Sequence, residues 1–340
     1  MKMKLGVVNE DIWDFFHEVY QEMVQTHQTS LFQRRHFDLP LFNSRVNRLM
    51  LQRDIQKFTN NNNVLFFEWG SELLALATRL PKRAGIVVRL HRYDVYAWFD
   101  KVDWDQVDRI ILVSQAKRRE FAAKYPSQAD KIVVIPEAIE LNKFQAHPKA
   151  YQGNLGILCH LSPRKRVYDL VLSFYELAQK IDGLHLFIGG DPRPAYLDYY
   201  VALQSLVRRL NLQDKVTFDG LVTDTAPWYH KIDIFISNSY SEGLQVSPME
   251  AIASGCFCLS HHWDGAEELL PPENIYFTGS ELQEKIIQYH SLPDAEKSRA
   301  SASLREMVTQ RFDVDKTKIE ILQLLDEVGQ SDPQRTKISA

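Results

Sequence analysis

The sequence predicts an α/β protein made of two Rossmann-like domains that face each other across a cleft. Three observations lead to this fold class. The length of 340 residues suits two domains of ordinary size. In both halves, short β-branched or aromatic runs alternate with helical stretches, which is typical of parallel sheets covered on both faces. A polar segment, residues 140–153, separates the two patterns and is predicted to be the linker.

The N-terminal domain is predicted over residues 1–145 and opens with a strand within the first ten residues. In parallel sheets, ligands collect at the carboxyl ends of the strands. Glu68 and His91 each follow a predicted strand directly, so His91 is either a buried structural residue or part of a ligand site. The further strands and helices of this half are predicted, in order, at residues 64–67, 71–80, 85–90, 109–113, 116–125 and 131–135.

The charges of the two halves differ in sign. Residues 1–138 hold 20 Lys and Arg against 17 Asp and Glu, a net of +3, and the remainder holds 20 against 27, a net of −7. Neither half has the basic footprint of a nucleic-acid binder, so no nucleic-acid partner is predicted. The three cysteines show no metal-ligand spacing, and their odd number favours a reducing compartment. We therefore predict a cytoplasmic protein, since no apolar run reaches the roughly 18–20 residues of a membrane span.

A predicted helix at residues 43–58 is the clearest feature of the basic half. Val46, Leu49 and Met50 form an apolar stripe along it, and basic residues surround the stripe. The simpler interpretation is a surface helix packed on its own domain. The alternative is peripheral attachment to the inner face of a membrane, because basic amphipathic helices bind anionic lipid surfaces. The basic residues are Arg45, Arg48, Arg53 and Lys57.

The second domain, predicted over residues 154–312, repeats the alternation of strands and helices. It begins with a strand at residues 155–159, which a basic turn connects to a helix at residues 167–180. The predicted strands that follow lie at residues 185–188, 216–218, 234–237, 256–259 and 275–277. The predicted helices lie at residues 195–210, 280–291, 294–311 and 316–328.

Residues 239–271 are the most informative stretch of this domain. Glu242 and Gly243 lie in a loop after a strand, and Ser247 is predicted to cap a short helix, with Glu250 closing a capping box. Backbone N–H groups at a helix start attract phosphate, and a glycine lets the backbone approach a ligand. Carboxylates accept hydrogen bonds from the vicinal hydroxyls of a ribose or a hexose. The pattern suits a nucleotide sugar, although Glu250 could serve only the capping box and Glu242 could be a solvated loop acid.

These residues resemble the Glu-x7-Glu motif of retaining glycosyltransferase family 4, with Glu242 and Glu250 as its two glutamates. The likeness is clear over residues 154–271 and looser over nearly the whole chain. It implies the GT-B fold, in which a C-terminal helix, here residues 313–330, crosses back to the N-terminal domain. The surrounding residues that share the likeness are Asp233, Gly243, Ala251, Ala253-Ser254-Gly255 and Gly265-x-Glu267.

The basic turn after residue 159 is similar to the family pattern Gly-Arg-Leu-x-x-x-Lys-Gly. Leu161 and Lys165 match it, whereas His160 replaces the arginine and Arg166 replaces the final glycine. We expect Arg164 to supply the missing charge. A solvated basic turn would look the same on its own, so the interpretation depends on the paired glutamates nearby.

The resemblance implies a retaining, metal-independent hexosyl transfer from a nucleotide-diphosphate sugar, with no cofactor besides that donor. Glu242 would hold the donor sugar, Glu250 the ribose, and His91 the sugar from the first domain. Lys165 would meet the diphosphate as a point charge and Arg164 as a two-pronged donor. The other expected contacts are the amides of Gly243 and Leu244 and the helix start at Val246 for the diphosphate, and the loops of Gly190, Leu221 and Val222 for the base.

One departure from the family lies directly after the first strand. Family members carry a glycine pair there, but residues 9–13 contain none, so no phosphate role is assigned to them. Glu10 and Trp13 could line an acceptor site instead.

UDP is the preferred nucleotide, with glucose, galactose or N-acetylglucosamine as the sugar. The expected acceptor is a growing polysaccharide, a glycolipid or a lipid-linked saccharide. Two alternatives remain open. A UDP-sugar epimerase of the same GT-B fold would need no acceptor, and a non-enzymatic nucleotide-sugar-binding protein would bind without turnover.

Overall fold

The computed structural model describes residues 2–10, 13, 16–36, 43–92 and 98–331. The chain divides into two compact units. Unit 1 comprises Met1–Glu137 together with Val314–Ala340, and unit 2 comprises Ala138–Asp313. Residues 138–145, which the sequence placed in the first domain, therefore belong to unit 2. Each unit is built on one parallel sheet with helices, which confirms the predicted α/β class with two Rossmann-like domains.

Unit 1 contains a six-stranded sheet in the order β2-β1-β3-β4-β5-β6, and every pair of neighbouring strands is parallel. The central strands are nearly continuous apolar runs because both faces of the sheet are covered. Every residue of β3 is buried, for example. The strands are β1 (Lys4–Val8), β2 (Gln28–Leu31), β3 (Val64–Glu68), β4 (Gly85–Leu90), β5 (Arg109–Leu112) and β6 (Ile132–Val134).

The last helix of the chain belongs to unit 1. Ile321 and Leu325 on its apolar face are fully buried in one cluster with Leu5 and Phe66 of the sheet. The opposite face of the sheet is covered by helices that contribute a second apolar cluster. Within the described residues, the helices of unit 1 are His17–Thr26, Asn43–Asn61, Glu72–Ala77, Gln115–Lys124 and Val314–Gln330.

The helix Asn43–Asn61 packs on unit 1 through residues other than the predicted stripe. Leu51 and Ile55 are buried, whereas Leu49 is 62% exposed. Of the predicted stripe, Leu49 is therefore exposed to solvent, whereas Val46 and Met50 are partly buried. Across the described ranges, no helix is both long enough and apolar enough to cross a membrane.

Unit 2 contains a six-stranded sheet in the order β12-β11-β10-β7-β8-β9, again with parallel neighbours throughout. This is a doubly wound order, and it reverses between β10 and β7. Crevices that bind ligands form at such a reversal, because the connections leave the two strands in opposite directions. The strands are β7 (Asn154–Leu158), β8 (His185–Gly189), β9 (Val216–Gly220), β10 (Ile234–Ser237), β11 (Phe257–His261) and β12 (Ile275–Tyr276).

Helices cover the sheet of unit 2 and bury one large apolar cluster against it. All three cysteines are free thiols; Cys256 and Cys258 are buried, and Cys159 is partly buried. The helices of unit 2 are Val167–Leu177, Leu197–Arg209, Thr225–His230, Val246–Ala253, Gly279–Ser291 and Asp294–Arg311.

Candidate active site

The residues that the sequence singled out in unit 2 follow the carboxyl ends of four neighbouring strands. The strands are β10, β7, β8 and β9, which lie side by side, and the sheet order reverses between the first two. The topology therefore brings these loops to one edge of the sheet, where doubly wound folds bind their ligands. The loop after β10 holds residues 242–246, and the loop after β7 holds Arg164 and Lys165. The loop after β8 holds Gly190, and the loop after β9 holds Leu221 and Val222.

Glu242 joins the loop after β10 to the loop after β7. Its Oε1 atom accepts hydrogen bonds from Arg164 Nη1 at 2.5 Å and from Lys165 Nζ at 2.7 Å. The three side chains are largely buried, with at most 17% of their surface exposed. Burial raises the pKa of the Glu242 carboxyl, but the charges of Lys165 and Arg164 outweigh burial and lower the pKa to about 2. Glu242 is thus ionised at neutral pH and contacts two cationic side chains.

The turn after β7 ends in a residue with a strained backbone. Arg166 has φ 50° and ψ 36°, in the left-handed region that favours glycine. Its carbonyl accepts a hydrogen bond of 2.8 Å from Asn238 Nδ2, and the Tyr276 hydroxyl donates to Asn238 Oδ1 at 2.7 Å. The loop after β10 therefore holds the basic turn through Asn238 as well as through Glu242.

Buried polar side chains fix the loop after β10 from within. Ser237 donates to Gln245 Oε1 at 2.5 Å, and Gln245 Nε2 donates to Ser239 Oγ at 3.3 Å. Gln245 directly precedes a helix, but its side chain forms no cap for that helix. Gly243 and Leu244, whose amides were predicted to meet the diphosphate, are buried in the same loop.

The helix Val246–Ala253 begins at Val246, the helix start expected to face the diphosphate, but Ser247 does not cap it. Because the chain is already helical at Val246, Ser247 lies inside the helix, and the prediction of a capping box between Ser247 and Glu250 is wrong. Instead, Glu250 Oε2 accepts a hydrogen bond of 2.8 Å from the Tyr229 hydroxyl. Tyr229 is fully buried. No local pattern marks its contact with Glu250, because the two residues lie on different helices.

The loops predicted for the nucleotide base are tied to each other. The Gly190 N–H donates to the Gly220 carbonyl at 2.7 Å. Gly190 has φ 112°, and a Cβ atom there would lie 1.9 Å from the Cys159 carbonyl oxygen, so only glycine fits. Leu221 is 63% exposed and Val222 is partly buried. The structure thus gives Gly190 a packing role, and the predicted contact of these loops with the base stays a prediction.

Unit 1 holds a buried cluster of four ionisable side chains, His91, Arg89, Glu68 and Glu137, which we call the His91 cluster. His91 Nε2 lies 2.8 Å from Glu68 Oε1, and His91 Nδ1 lies 2.5 Å from Glu137 Oε1. Arg89 Nη2 lies 2.8 Å from Glu68 Oε1 and 3.6 Å from Glu137 Oε2. None of the four side chains is more than 8% exposed. Two acids and two bases compensate each other when His91 is protonated.

The His91 cluster keeps the imidazole charged. Burial lowers the pKa of His91, but Glu137 and Glu68 outweigh burial and raise the pKa to about 9. Both ring nitrogens face carboxylates. A hydrogen bond from either nitrogen to a sugar would therefore have to displace the carboxylate that this nitrogen contacts. The sequence pointed to Glu68 and His91 as neighbours at strand ends. Glu137 was not predicted as a partner of His91, because the sequence shows only an acidic residue shortly after β6.

The loop after β1 is described only in part, since residues 11 and 12 lie outside the described residues. The Trp13 ring packs 5.7 Å from that of Phe16 and 5.1 Å from that of Tyr20. Glu10 lies 3.9 Å from Arg34, and burial is the main effect that raises the pKa of Glu10. The acceptor role suggested for Glu10 and Trp13 stays a prediction. In the part of the chain that the structure describes, no group of three or more His, Cys, Asp or Glu residues could hold a metal ion.

Comparison with known proteins confirms the resemblance to glycosyltransferases. Residues 152–289 match the family model described as glycosyl transferases group 1. Alpha-monoglucosyldiacylglycerol synthase of Streptococcus pneumoniae is 27% identical over 227 residues, which cover 61% of this chain and 50% of that protein. N-acetyl-alpha-D-glucosaminyl L-malate synthase of Bacillus anthracis is 27% identical over 34% of this chain and 29% of its own length. The chain thus matches half or less of these relatives.

Solved structures are similar over nearly the whole chain. A glycosyltransferase from Rickettsia africae has a TM-score of 0.79 at 16% identity and covers 97% of this chain and 100% of its own. HepE from Anabaena, solved with UDP and glucose, has a TM-score of 0.77 at 18% identity, with 95% and 99% covered. These likenesses confirm the predicted GT-B fold.

Proposed function

Because residues 152–289 form a glycosyl transferases group 1 domain within a GT-B fold, we propose that the protein is a retaining, metal-independent hexosyltransferase. In this proposal, it moves a hexosyl group from a nucleotide-diphosphate sugar to a saccharide or glycolipid acceptor. The nucleotide is UDP, and the sugar is glucose or a related hexose. The donor is a substrate, and no further cofactor is required.

The observation that carries the proposal is the contact of Arg164 and Lys165 with Glu242 at the point where the strand order of unit 2 reverses. Arg164 and Lys165 bring two cationic side chains together at a largely buried site, and such donors form strong hydrogen bonds with phosphate oxygens. Arg164 Nη1 also donates to the Ser241 carbonyl at 2.8 Å, so the loop after β10 holds this side chain through its backbone as well as through Glu242. The same carboxylate can accept hydrogen bonds from sugar hydroxyls.

In this proposal, the basic residues assist the departure of the diphosphate. As the bond from the sugar C1 to the β-phosphate oxygen breaks, negative charge grows on the leaving group, and Lys165 and Arg164 stabilise it. The amides of Gly243 and Leu244 and the helix start at Val246 add to this stabilisation. The acceptor oxygen forms a bond to C1 on the face from which the diphosphate departs. The proton of the acceptor hydroxyl passes to the leaving phosphate. No side chain is assigned as a general base.

Two further residues complete the assignment of the donor. Glu250, partly exposed in the middle of the helix Val246–Ala253, accepts hydrogen bonds from the ribose hydroxyls. In the family that the chain resembles, a histidine at the end of a comparable strand contacts the donor sugar. We keep that role for His91 as part of the proposal. Because both ring nitrogens of His91 face buried carboxylates, contact with the sugar requires that one of these ion pairs breaks.

The names of the relatives support the donor and acceptor classes. HepE was solved with UDP and glucose, and the name of the pneumococcal relative describes a glucosylated diacylglycerol. We therefore propose a role in polysaccharide or glycoconjugate biosynthesis in the cytoplasm. Contact with the inner face of a membrane through the helix Asn43–Asn61 is a further part of the proposal, supported by Arg45 and Arg48, which are exposed on that helix.

Turnover separates this proposal from the two alternatives. An epimerase would convert the UDP-sugar in the absence of an acceptor, which time-resolved NMR of the donor with enzyme alone would detect. A nucleotide-sugar-binding protein would bind the donor and leave it unchanged with every acceptor. Release of UDP that depends on an added saccharide or glycolipid acceptor supports the transferase.

Calorimetric titration with UDP, GDP and ADP tests the donor site, using the wild type, Lys165→Ala and Lys285→Ala. Lys285 is a matched control, because its Nζ donates to the Glu273 carbonyl on another part of unit 2. We expect one nucleotide to bind tightly and to lose about 1.5–3 kcal/mol in Lys165→Ala, the scale of a charged hydrogen bond. Lys285→Ala should bind like the wild type. If no nucleotide binds, or if both variants bind alike, the assigned donor site is wrong.

A further inference from the structure

We propose that Tyr229 is a positioning residue for the nucleoside, because its buried hydroxyl orients the Glu250 carboxylate towards the ribose hydroxyls of the donor. The inference rests on the proposed function, in which Glu250 holds the ribose, and it adds a residue outside the Glu-x7-Glu motif. Tyr229 itself does not touch the ligand in this proposal.

The contact has the geometry of a strong hydrogen bond. The Tyr229 hydroxyl lies 2.8 Å from Glu250 Oε2 and joins the helix Thr225–His230 to the helix Val246–Ala253. Tyr229 has no exposed surface, whereas Glu250 is only partly buried. One end of the contact is therefore fixed in the core, and the other lies where a ligand can reach it.

The Tyr229 ring is buried among three other aromatic rings. Its centroid lies 5.5 Å from that of Trp228, 5.7 Å from that of Phe235 and 6.2 Å from that of Phe144, all at steep angles. A glutamate side chain on a partly exposed helix would otherwise sample several rotamers. A hydrogen bond from a rigid donor selects one of them, which lowers the entropy lost when a ligand binds.

The protonation states fit a fixed donor and a fixed acceptor. Burial raises the pKa of Tyr229 well above its usual value, and the Glu250 charge raises it further, so the hydroxyl keeps its proton. A carboxylate accepts at two oxygens, each with two acceptor sites. The bond from Tyr229 uses one of the acceptor sites on Oε2.

A purely structural role for the contact makes a different prediction. A buried tyrosine hydroxyl needs a partner, and Glu250 could serve only to satisfy it. In that case, removal of the hydroxyl would change stability but would not change how the protein distinguishes a ribose from an analogue that lacks its hydroxyls. The ratio of the affinities for the two ligands, measured on the same variant, isolates the effect on ribose recognition. A change in the folded fraction affects both affinities equally and cancels in the ratio.

The test compares UDP with 2′,3′-dideoxy-UDP as calorimetric ligands for the wild type, Tyr229→Phe and Tyr289→Phe. Tyr289 is a matched control, since it is a buried tyrosine of unit 2 whose hydroxyl bonds to Ser301 Oγ at 3.1 Å. We expect the wild type and Tyr289→Phe to bind UDP at least about tenfold more tightly than the dideoxy analogue. In Tyr229→Phe, the preference for UDP over the dideoxy analogue should be smaller by a factor of about five or more. The affinity of this variant for the dideoxy analogue should stay within about twofold of the wild-type affinity.

Two results would overturn the inference, and they are distinguishable. A wild type that prefers UDP, with the same preference in Tyr229→Phe, would leave the proposed function standing and remove the positioning role. A wild type that binds neither ligand would remove the proposed function and, with it, the role of Tyr229.

Discussion

His91 Nδ1 lies 2.5 Å from Glu137 Oε1 in the interior of unit 1, and the two side chains are 8% and 3% exposed. The contact joins the end of β4 to the segment after β6. With Arg89 and Glu68, it makes an ionic cluster that is neutral only while His91 carries a proton. Buried charges are tolerated when they are paired, so each member depends on the others.

The first prediction concerns the loss of one acid from this cluster. Glu137→Gln removes a buried negative charge and leaves Arg89 and His91 without full compensation. We expect the free energy of unfolding of unit 1 to fall by about 3 kcal/mol, the usual scale for a broken buried pair. Urea denaturation at neutral pH measures this. The exposed neighbour Glu140 supplies the control, and Glu140→Gln should change the stability by less than about 0.5 kcal/mol. Equal effects of the two substitutions would contradict the importance of the cluster.

The second prediction concerns pH. The pKa of His91 is raised from 6.5 to about 9 in the folded protein. Its contribution to stability is therefore complete below pH 6.5 and is lost as the pH rises through about 9. The thermal midpoint of the wild type should exceed that of His91→Gln at pH 6.5, and the difference should shrink by pH 9. Midpoint curves that stay parallel over this range would show that His91 is not held protonated.

The third prediction isolates a steric contact. Gly190 and Gly183 both have positive φ values, 112° and 79°, but a Cβ at Gly190 would lie 1.9 Å from the Cys159 carbonyl oxygen, whereas the space around Gly183 is open. Gly183→Ala should cost only the backbone strain, about 1–2 kcal/mol. Gly190→Ala should cost clearly more, because the backbone of Cys159 would have to move. Chemical denaturation of both variants tests this, and equal costs would contradict the predicted clash.

The fourth prediction concerns the strained residue after the basic turn. Arg166 occupies the left-handed region, where the resembled family carries glycine. Arg166→Gly should stabilise the protein by about 1 kcal/mol through relief of strain. Arg166→Ala removes the same side chain and its exposed contact with Asp169 but keeps the strain, so it should not stabilise. A gain in stability for both variants would assign the effect to the side chain instead of the backbone.

Many elements of the fold were predictable because local sequence determines them. The strands Gly85–Leu90 and Ile234–Ser237 and the helix Asp294–Arg311 have the bounds that their apolar runs and periodicity predict. The strand Gln28–Leu31 was not predicted, because it lies at the sheet edge and no residue of it is fully buried, so it lacks an apolar run. The N-cap of the helix Val246–Ala253 was predicted wrongly, because the N-cap is a glutamine that bonds within the loop and not Ser247.

The sequence by itself determined the fold class, the polar residues that follow the strands and the likeness to a glycosyltransferase family. Only the tertiary structure decided which of those residues meet. Lys165 reaches Glu242 across 77 residues of chain, and Tyr229 reaches Glu250 from a separate helix. Glu137 closes the cluster around His91, although nothing in its local sequence indicates a partner. Hydrophobic periodicity reports the burial of a segment, whereas a hydrogen bond between loops depends on strand order and register, which are set by packing over the whole sheet.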